Sequence, residues 1–98
     1  MTESFRTELL VDASHPSLSG HFPGNPVVPG VVLLERVAAA MKAWRGAAVG
    51  ALDAKFLNPL RPGEAAAIEL RDGDGRVRFS VTHADGAVLA RGTLEVLA

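Results

Sequence analysis

The feature that most constrains this chain is a twelve-residue run, residues 20–31, which holds three prolines and three glycines. Proline fixes φ and removes a backbone donor, whereas glycine permits positive φ and the close approach of a ligand. The whole stretch from Asp12 to Gly30 is dense in Pro, Gly, Ser and His, which predicts a long ordered loop. Long loops in compact domains are often functional. Composition alone leaves a rigid structural loop as an equal alternative.

Residues 30–45 are predicted to form one helix, because apolar residues recur there at helical spacing. Val31, Leu34, Ala38, Met41 and Arg45 fall at helical spacing, and Val37 and Trp44 widen this predicted stripe. The opposite face offers only Arg36, Ala40 and Lys42, and a helix that is apolar on most sides is usually buried. Gly46 is a plausible stop for this helix.

Five segments with strand character surround this helix: residues 3–11 before it, and residues 49–57, 65–71, 77–83 and 88–97 after it. The later segments are separated by Pro, Gly, Asn and Asp, and the last two turns are predicted to be tight hairpins. A buried helix followed by an antiparallel meander predicts an α+β fold in which a sheet covers the helix. We expect residues 1–98 to form a single domain. Its open sheet edges favour pairing between two chains.

Composition excludes several functional classes. Ten Lys and Arg stand against eleven Asp and Glu, which argues against general nucleic-acid binding, and the absence of cysteine excludes thiolate chemistry. The N-terminus lacks the pattern of a signal peptide, and the apolar stretch near Val31 is too short to span a membrane. We therefore expect a cytoplasmic protein. No pair of histidines has metal-ligand spacing, so neither a metal nor a cofactor is predicted.

Two residues near the predicted helix start are candidates for proton transfer. Glu35 has only Val and Ala at its helical neighbour positions, so we expect a buried carboxyl with a raised pKa, as a general acid requires. Exposure to solvent, or a distant arginine partner, is the alternative. His21 lies in the loop ahead of the helix and is of the type that exchanges protons near pH 7. His15 and His83 are interpreted as a surface residue and a strand residue.

The predicted helix also begins without a side chain that could cap it. Pro29 and Gly30 offer no capping oxygen, so the first backbone N–H groups need another partner. A bare, glycine-led helix start suits an anion or a developing oxyanion. Capping by water or by another loop is a common alternative.

Two blocks of this sequence resemble bacterial 3-hydroxyacyl-acyl carrier protein dehydratases, which are hot-dog enzymes. The first block is the run His21-Phe22-Pro23-Gly24-x-Pro26-Val27-x-Pro29-Gly30-Val31-x-x-x-Glu35. The second is Ala54-Lys55-Phe56-x-x-Pro59-x-x-Pro62-Gly63-Glu64, in the order that the family shows. The resemblance implies a hot-dog fold, with an antiparallel sheet wrapped around one long central helix.

The resemblance implies roles for individual residues. His21 resembles the family's catalytic histidine, Glu35 its catalytic acid, and Gly30 the residue whose backbone N–H binds the thioester carbonyl. The implied reaction removes water from a (3R)-3-hydroxyacyl thioester on acyl carrier protein and gives a trans-2-enoyl thioester. In that family the active site lies at a dimer interface, which implies a homodimer or a dimer-based oligomer. The predicted substrate-binding residues are Phe22, Pro29, Gly30 and Val31.

This sequence departs from the fatty-acid enzymes in ways that resemble a shorter subgroup associated with aryl polyene pigments. It lacks their extra N-terminal helix and strand, and Ala39 stands where several of them carry a glutamine. A hot-dog acyl thioesterase and a non-catalytic acyl-carrier-binding partner subunit are the alternative functions.

Charge suggests where an acidic carrier could dock. Residues 31–63 contain Arg36, Lys42, Arg45, Lys55 and Arg61 against Glu35 and Asp53. This local surplus of positive charge fits an acidic acyl carrier protein. An ordinary solvated surface explains it equally well.

Overall fold

The structure is a computed structural model, and it describes residues 3–12, 27–73 and 75–97. These residues form five strands and one helix: β1 Ser4–Leu9, α1 Gly30–Arg45, β2 Val49–Phe56, β3 Ala66–Gly73, β4 Arg76–His83 and β5 Val88–Val96. Each element lies within two residues of its predicted position. No helix in this part of the chain has the length and apolarity needed to span a membrane.

All strand pairs are antiparallel, and the strand order in the sheet is β1-β3-β4-β5-β2. The β3–β4 and β4–β5 hairpins are confirmed. The predicted meander is wrong for β2, which pairs with β5 instead of β3, so that Lys55 lies opposite Arg91. The chain after β2 carries two prolines and crosses the molecule before β3 begins, and Leu60 is fully buried on the way.

One face of α1 packs against the sheet. Its buried residues are Val32, Leu33, Val37, Ala40 and Met41. The predicted stripe is therefore displaced: Val31 is exposed and Ala40, predicted on the polar face, is buried. Valine and alanine occur on every side of this helix, so sequence periodicity could not separate the inner face from the outer face. The sheet contributes Ile68, Leu70, Phe79, Val81 and Leu94 to the same core.

The C-terminal end of α1 is fixed in two ways. Gly46 adopts a left-handed conformation, with φ of 66°, and its N–H donates to the Lys42 carbonyl at 2.7 Å, which confirms the predicted stop. Beside it, the ring of Trp44 stacks on Phe5 of β1, with centroids 6.2 Å apart. The helix end is thus anchored to an edge strand of the sheet.

Side chains alternate between the two faces of the sheet. On the inner face, Gly92 of β5 has no side chain, and a Cβ there would collide with the Asp53 carbonyl of β2. On the outer face, charged residues stand opposite each other on neighbouring strands, as Arg71 and Arg78 do. The inner face holds the helix, and the outer face carries most of the charge.

Candidate active site

The structure brings four of the six predicted site residues to the start of α1: Pro29, Gly30, Val31 and Glu35. The other two, His21 and Phe22, lie outside the described residues. The geometry below therefore concerns the helix start and the walls around it.

The helix start is bare, as the sequence predicts. Pro29 occupies the N-cap position with φ −59° and ψ 143°, and no side chain among the described residues caps the helix. The first turn contains no acidic residue. Within the described residues, the positive end of the helix dipole therefore has no acidic side chain as a partner.

A pocket of about 420 Å³ opens beside this helix start. It is lined by Val27, Val28, Gly30, Leu33, Phe56, Leu57, Asn58, Pro59 and Leu60. Most of these side chains are apolar, so the pocket suits a hydrocarbon chain better than a polar ligand. The backbone N–H groups at the helix start form the polar end of this pocket.

The walls of the pocket are held by backbone hydrogen bonds. The Val28 N–H donates to the Leu60 carbonyl at 2.7 Å, which joins the segment before α1 to the segment after β2. The Asn58 side-chain amide donates to the Val88 carbonyl at 2.7 Å and ties the same segment to β5. The pocket is therefore part of the fixed scaffold of the fold.

Glu35 is exposed in this structure, so the prediction that it is buried is wrong for the single chain. It lies one helical turn after Val31, whose side chain is 60% exposed. Both residues occupy the face of α1 that points away from the sheet. Within the described part of this chain, nothing covers the Glu35 carboxyl, and burial of that group requires another surface.

The basic segment predicted from the sequence does not form one surface. Arg45 is engaged by Glu3 and Asp72 at the helix end, whereas Lys55 lies on the outer face of the sheet. That outer face holds a second, shallow concavity of about 570 Å³, lined in part by Lys55, Arg71, Arg78 and Arg91. It is the larger cavity, but it lies on the opposite side of the sheet from the helix start.

Sequence reasoning assigned no role to Phe56 or to the segment that follows it. A signal was present in the sequence, because two large apolar residues, Phe56 and Leu57, stand directly before the turn residues Asn58-Pro59. Both side chains are exposed in the structure. Their position beside the helix start depends on the crossing of the chain after β2, which local pattern does not reveal.

One helix on the inner face of a five-stranded antiparallel sheet of this order defines a hot-dog domain. The chain superposes on a chain of the dehydratase heterocomplex ApeI:P from Xenorhabdus doucetiae with a TM-score of 0.82. The two are 19% identical, and the match covers 100% of this chain and 95% of that one. The predicted hot-dog fold is confirmed.

Sequence comparison gives the family. The chain is 37% identical over 93 residues to the 3-hydroxyacyl-[acyl-carrier-protein] dehydratase FabZ of Chloroflexus aggregans, and 32% identical over 100 residues to that of Klebsiella pneumoniae. These matches cover 80% and 86% of this chain, but only 65% and 66% of the relatives, so the chain spans just under two thirds of their length. Residues 1–93 match the family model described as ApeI-like, ApeI dehydratase. The chain belongs to this ApeI-like family, which confirms the resemblance to dehydratases in its two sequence blocks and to the shorter subgroup in its departures from them.

Proposed function

We propose that this protein is a cytoplasmic dehydratase that eliminates water from (3R)-3-hydroxyacyl thioesters on acyl carrier protein and gives trans-2-enoyl thioesters. The observation that carries the proposal is the apolar pocket beside the uncapped start of α1, at Gly30. An acyl chain fits the pocket, and the free N–H groups fit a thioester oxygen that gains negative charge. Membership of the ApeI-like family supports the same reaction.

The proposed chemistry divides among three residues. His21 removes the proton from the carbon next to the thioester carbonyl, and the backbone N–H of Gly30 holds the oxygen that becomes enolate-like. The carbon–oxygen bond at C3 then breaks. Glu35 gives its proton to the departing hydroxyl, which leaves as water. Phe22, Pro29 and Val31 contact the substrate around this centre.

We propose that a second copy of the chain completes the site. Glu35 and Val31 face away from their own sheet, so a general acid at this position needs a second surface to exclude water. The exposed large apolar side chains of the described residues are Leu10, Val31, Phe56, Leu57, Val96 and Leu97. Four of them lie along one edge of the sheet, with Phe56 and Leu57 at the end of β2 and Val96 and Leu97 beside its start. Such an edge favours symmetric pairing.

We propose the outer face of the sheet as the docking surface for the acidic carrier. Lys55 lies directly opposite Arg91, and Arg78 directly opposite Arg71, although like charges in such pairs destabilise a sheet. Within the described residues, no ion pair neutralises Lys55, Arg78 or Arg91. An acidic partner bound to this face would offset the repulsion between these like charges.

Two other functions fit the same fold. A thioesterase would use the Glu35 carboxylate to hydrolyse the acyl thioester. A non-catalytic partner subunit is consistent with Ala39, which departs from the glutamine of the fatty-acid enzymes that the sequence resembles. The Xenorhabdus dehydratase is itself a heterocomplex. The pathway served by a dehydratase of this family would be fatty-acid-like, or specialised polyene or polyketide synthesis.

Product analysis separates these functions. The protein is incubated with 3-hydroxyacyl and acyl thioesters: an enoyl product supports the dehydratase, free thiol the thioesterase, and no product the partner subunit. His21→Ala and Glu35→Gln should each lower dehydration by ~10²–10⁴-fold, because general acid/base groups typically contribute that much. Glu8→Gln, the same change at an exposed position on β1, is the control and should retain full activity. Near-normal dehydration by both site variants would overturn the assignment.

A further inference from the structure

The ring of Phe56 occupies the space that a side chain at residue 30 would need. A Cβ built on Gly30 would lie 2.7 Å from Phe56 Cζ and 3.0 Å from Cε1. Ordinary contacts between carbon atoms are about 3.5–4.0 Å, so both distances are too short for a real side chain. Gly30 is not one of the glycines with positive φ. A side chain at this position would therefore have to displace the Phe56 ring, whereas the backbone conformation does not impose glycine here.

The backbone on both sides of this contact is held by hydrogen bonds. The two residues after Phe56 are held by the Leu89 carbonyl, which accepts from the Leu57 N–H at 2.8 Å and from the Asn58 N–H at 3.2 Å. On the other side, the Val28 N–H bonds to Leu60 two residues before the helix begins. The ring is thus attached to an anchored backbone, and only rotation of the Phe56 side chain would relieve the contact.

The position of the ring matters because Phe56 lines the pocket while it touches Gly30. It contributes an aromatic wall directly beside the first N–H groups of α1. The ring is half exposed, so one side contacts the helix start and the other remains available to a ligand. An acyl chain that fills this pocket from a thioester at the helix start would therefore lie against this ring.

We propose that Phe56 is a specificity-determining residue that limits the width of the acyl chain at the helix start, and that Gly30 is glycine because the ring occupies its side-chain space. The proposal rests on the proposed function, since it takes the thioester to lie at Gly30. It assigns a preference for unbranched over branched acyl chains. The preference arises from the Phe56 ring, because the backbone after this residue is held by hydrogen bonds to Leu89.

The first experiment measures this preference directly. Dehydration of unbranched and branched 3-hydroxyacyl thioesters of a small thiol is followed for the wild type, Phe56→Leu and Phe56→Ala. We expect the ratio of kcat/KM values to move by about 10-fold or more toward the branched substrate, because a methylene-sized change in an apolar pocket alters selectivity by roughly 10–200-fold. Phe5→Leu, which removes a ring far from the pocket, should leave the ratio unchanged.

The second experiment tests the contact with Gly30. Gly30→Ala should lower kcat by about 100-fold, because the new methyl group displaces either the ring or the helix start. Leucine lacks the Cζ and Cε atoms that approach residue 30. The double variant Gly30→Ala/Phe56→Leu should therefore recover much of the lost kcat and of the lost thermal stability.

The outcomes distinguish failure of this proposal from failure of the proposed dehydratase function on which it rests. A wild-type protein that dehydrates neither substrate overturns the proposed function, and the selectivity claim with it. Normal wild-type turnover with an unchanged substrate ratio in Phe56→Ala overturns the selectivity claim alone. Equal losses in Gly30→Ala and in the double variant would show that the ring is not what excludes a side chain at residue 30.

Discussion

Arg45 donates two hydrogen bonds to the carboxylate of Asp72, from Nη2 to Oδ2 at 2.6 Å and from Nη1 to Oδ1 at 3.1 Å. Its Nη2 also lies 3.1 Å from the Oε2 atom of Glu3, and its guanidinium carbon lies 3.9 Å from the centroid of the Trp44 ring. Arg45 belongs to the last turn of α1, where a positive charge also interacts favourably with the helix dipole. One side chain therefore joins the helix end to β3 and to the residue before β1.

Replacement of Arg45 should weaken this junction. Arg45→Ala should lower the midpoint of urea unfolding, and Arg45→Lys should recover only part of the loss, because lysine keeps the charge but lacks the planar fork. The pair is solvent-exposed, so the effect should be modest and should shrink at high salt. Arg36→Ala, at an exposed position on the same helix, is the control. Equal midpoints for Arg45→Ala and Arg36→Ala would contradict this role.

Acid should destabilise the protein through carboxylates that are bonded in the folded state. The hydrogen bond from Arg45 lowers the pKa of Asp72, and the backbone N–H of Arg61 lowers the pKa of Glu64. A folded-state pKa below the unfolded value gives stability that is present above the unfolded pKa and is lost as pH falls through the folded pKa. The free energy of unfolding should therefore decrease below about pH 4, the usual carboxyl range.

Urea unfolding between about pH 6 and pH 2 checks this expectation. Glu64→Gln offers a sharp variant, because Glu64 Oε2 also lies 3.1 Å from Nε2 of His83 at the end of β4. It should be less stable than the wild type near pH 6 and should lose less stability on acidification. Glu8→Gln is the control. A wild-type stability that is flat across this range would show that these contacts do not contribute.

Gly92 should tolerate no side chain. A Cβ at this position collides with the Asp53 carbonyl of the neighbouring strand, which is backbone and has no room to withdraw. Gly92→Ala should therefore destabilise the protein by about 1–3 kcal/mol or more, the usual cost of overpacking. Gly73→Ala is the matched control, because no atom of the described residues lies within 4 Å of its added Cβ. Similar stability of the two variants in chemical denaturation would refute the argument.

Charge reversal separates the two candidate docking surfaces for an acidic carrier. Arg78→Glu and Arg91→Glu, on the outer face of the sheet, should raise KM for a carrier-linked substrate and leave a small thioester mimic unaffected. Lys42→Glu, on the exposed face of α1, should have a smaller effect on carrier-linked turnover. Salt should reduce the difference between wild type and variants. Equal losses for both substrates would argue against docking on the sheet.

Assembly through the β2 edge predicts an asymmetry between two exposed leucines. Leu97, beside the start of β2, and Leu10, beside β1, are each 57% exposed. Leu97→Asp should weaken dimer formation, measured by light scattering across a dilution series, whereas Leu10→Asp should not. A wild-type protein that is monomeric and fully active at micromolar concentration would exclude the shared site.

The sequence predicts the elements of this fold well, because turn residues mark each hairpin and Gly46 ends the helix. It does not predict that β2 lies next to β5, since the choice among antiparallel partners depends on how the chain crosses the core near Leu60. The buried face of α1 is also missed, because apolar residues surround the helix. Burial of Glu35 is predicted from its apolar helical neighbours, but these residues do not cover it within one chain. A second chain would have to supply the burial, and the pattern of one sequence does not show that. The role of Phe56 depends on a contact with Gly30 that no local spacing encodes.

The position of β2 has a consequence for the order of folding. Its partner β5 is the last strand along the chain. Phe56 therefore cannot pair before Ala90 is synthesised, and Val49 cannot pair before Val96 is synthesised. A ribosome releases β2 long before β5, and closing such a distant pair costs more chain entropy than closing either hairpin. Until β5 emerges, the wall that carries Phe56 has no strand to hold it. The pocket beside the helix start is therefore assembled last, only after β5 has been synthesised.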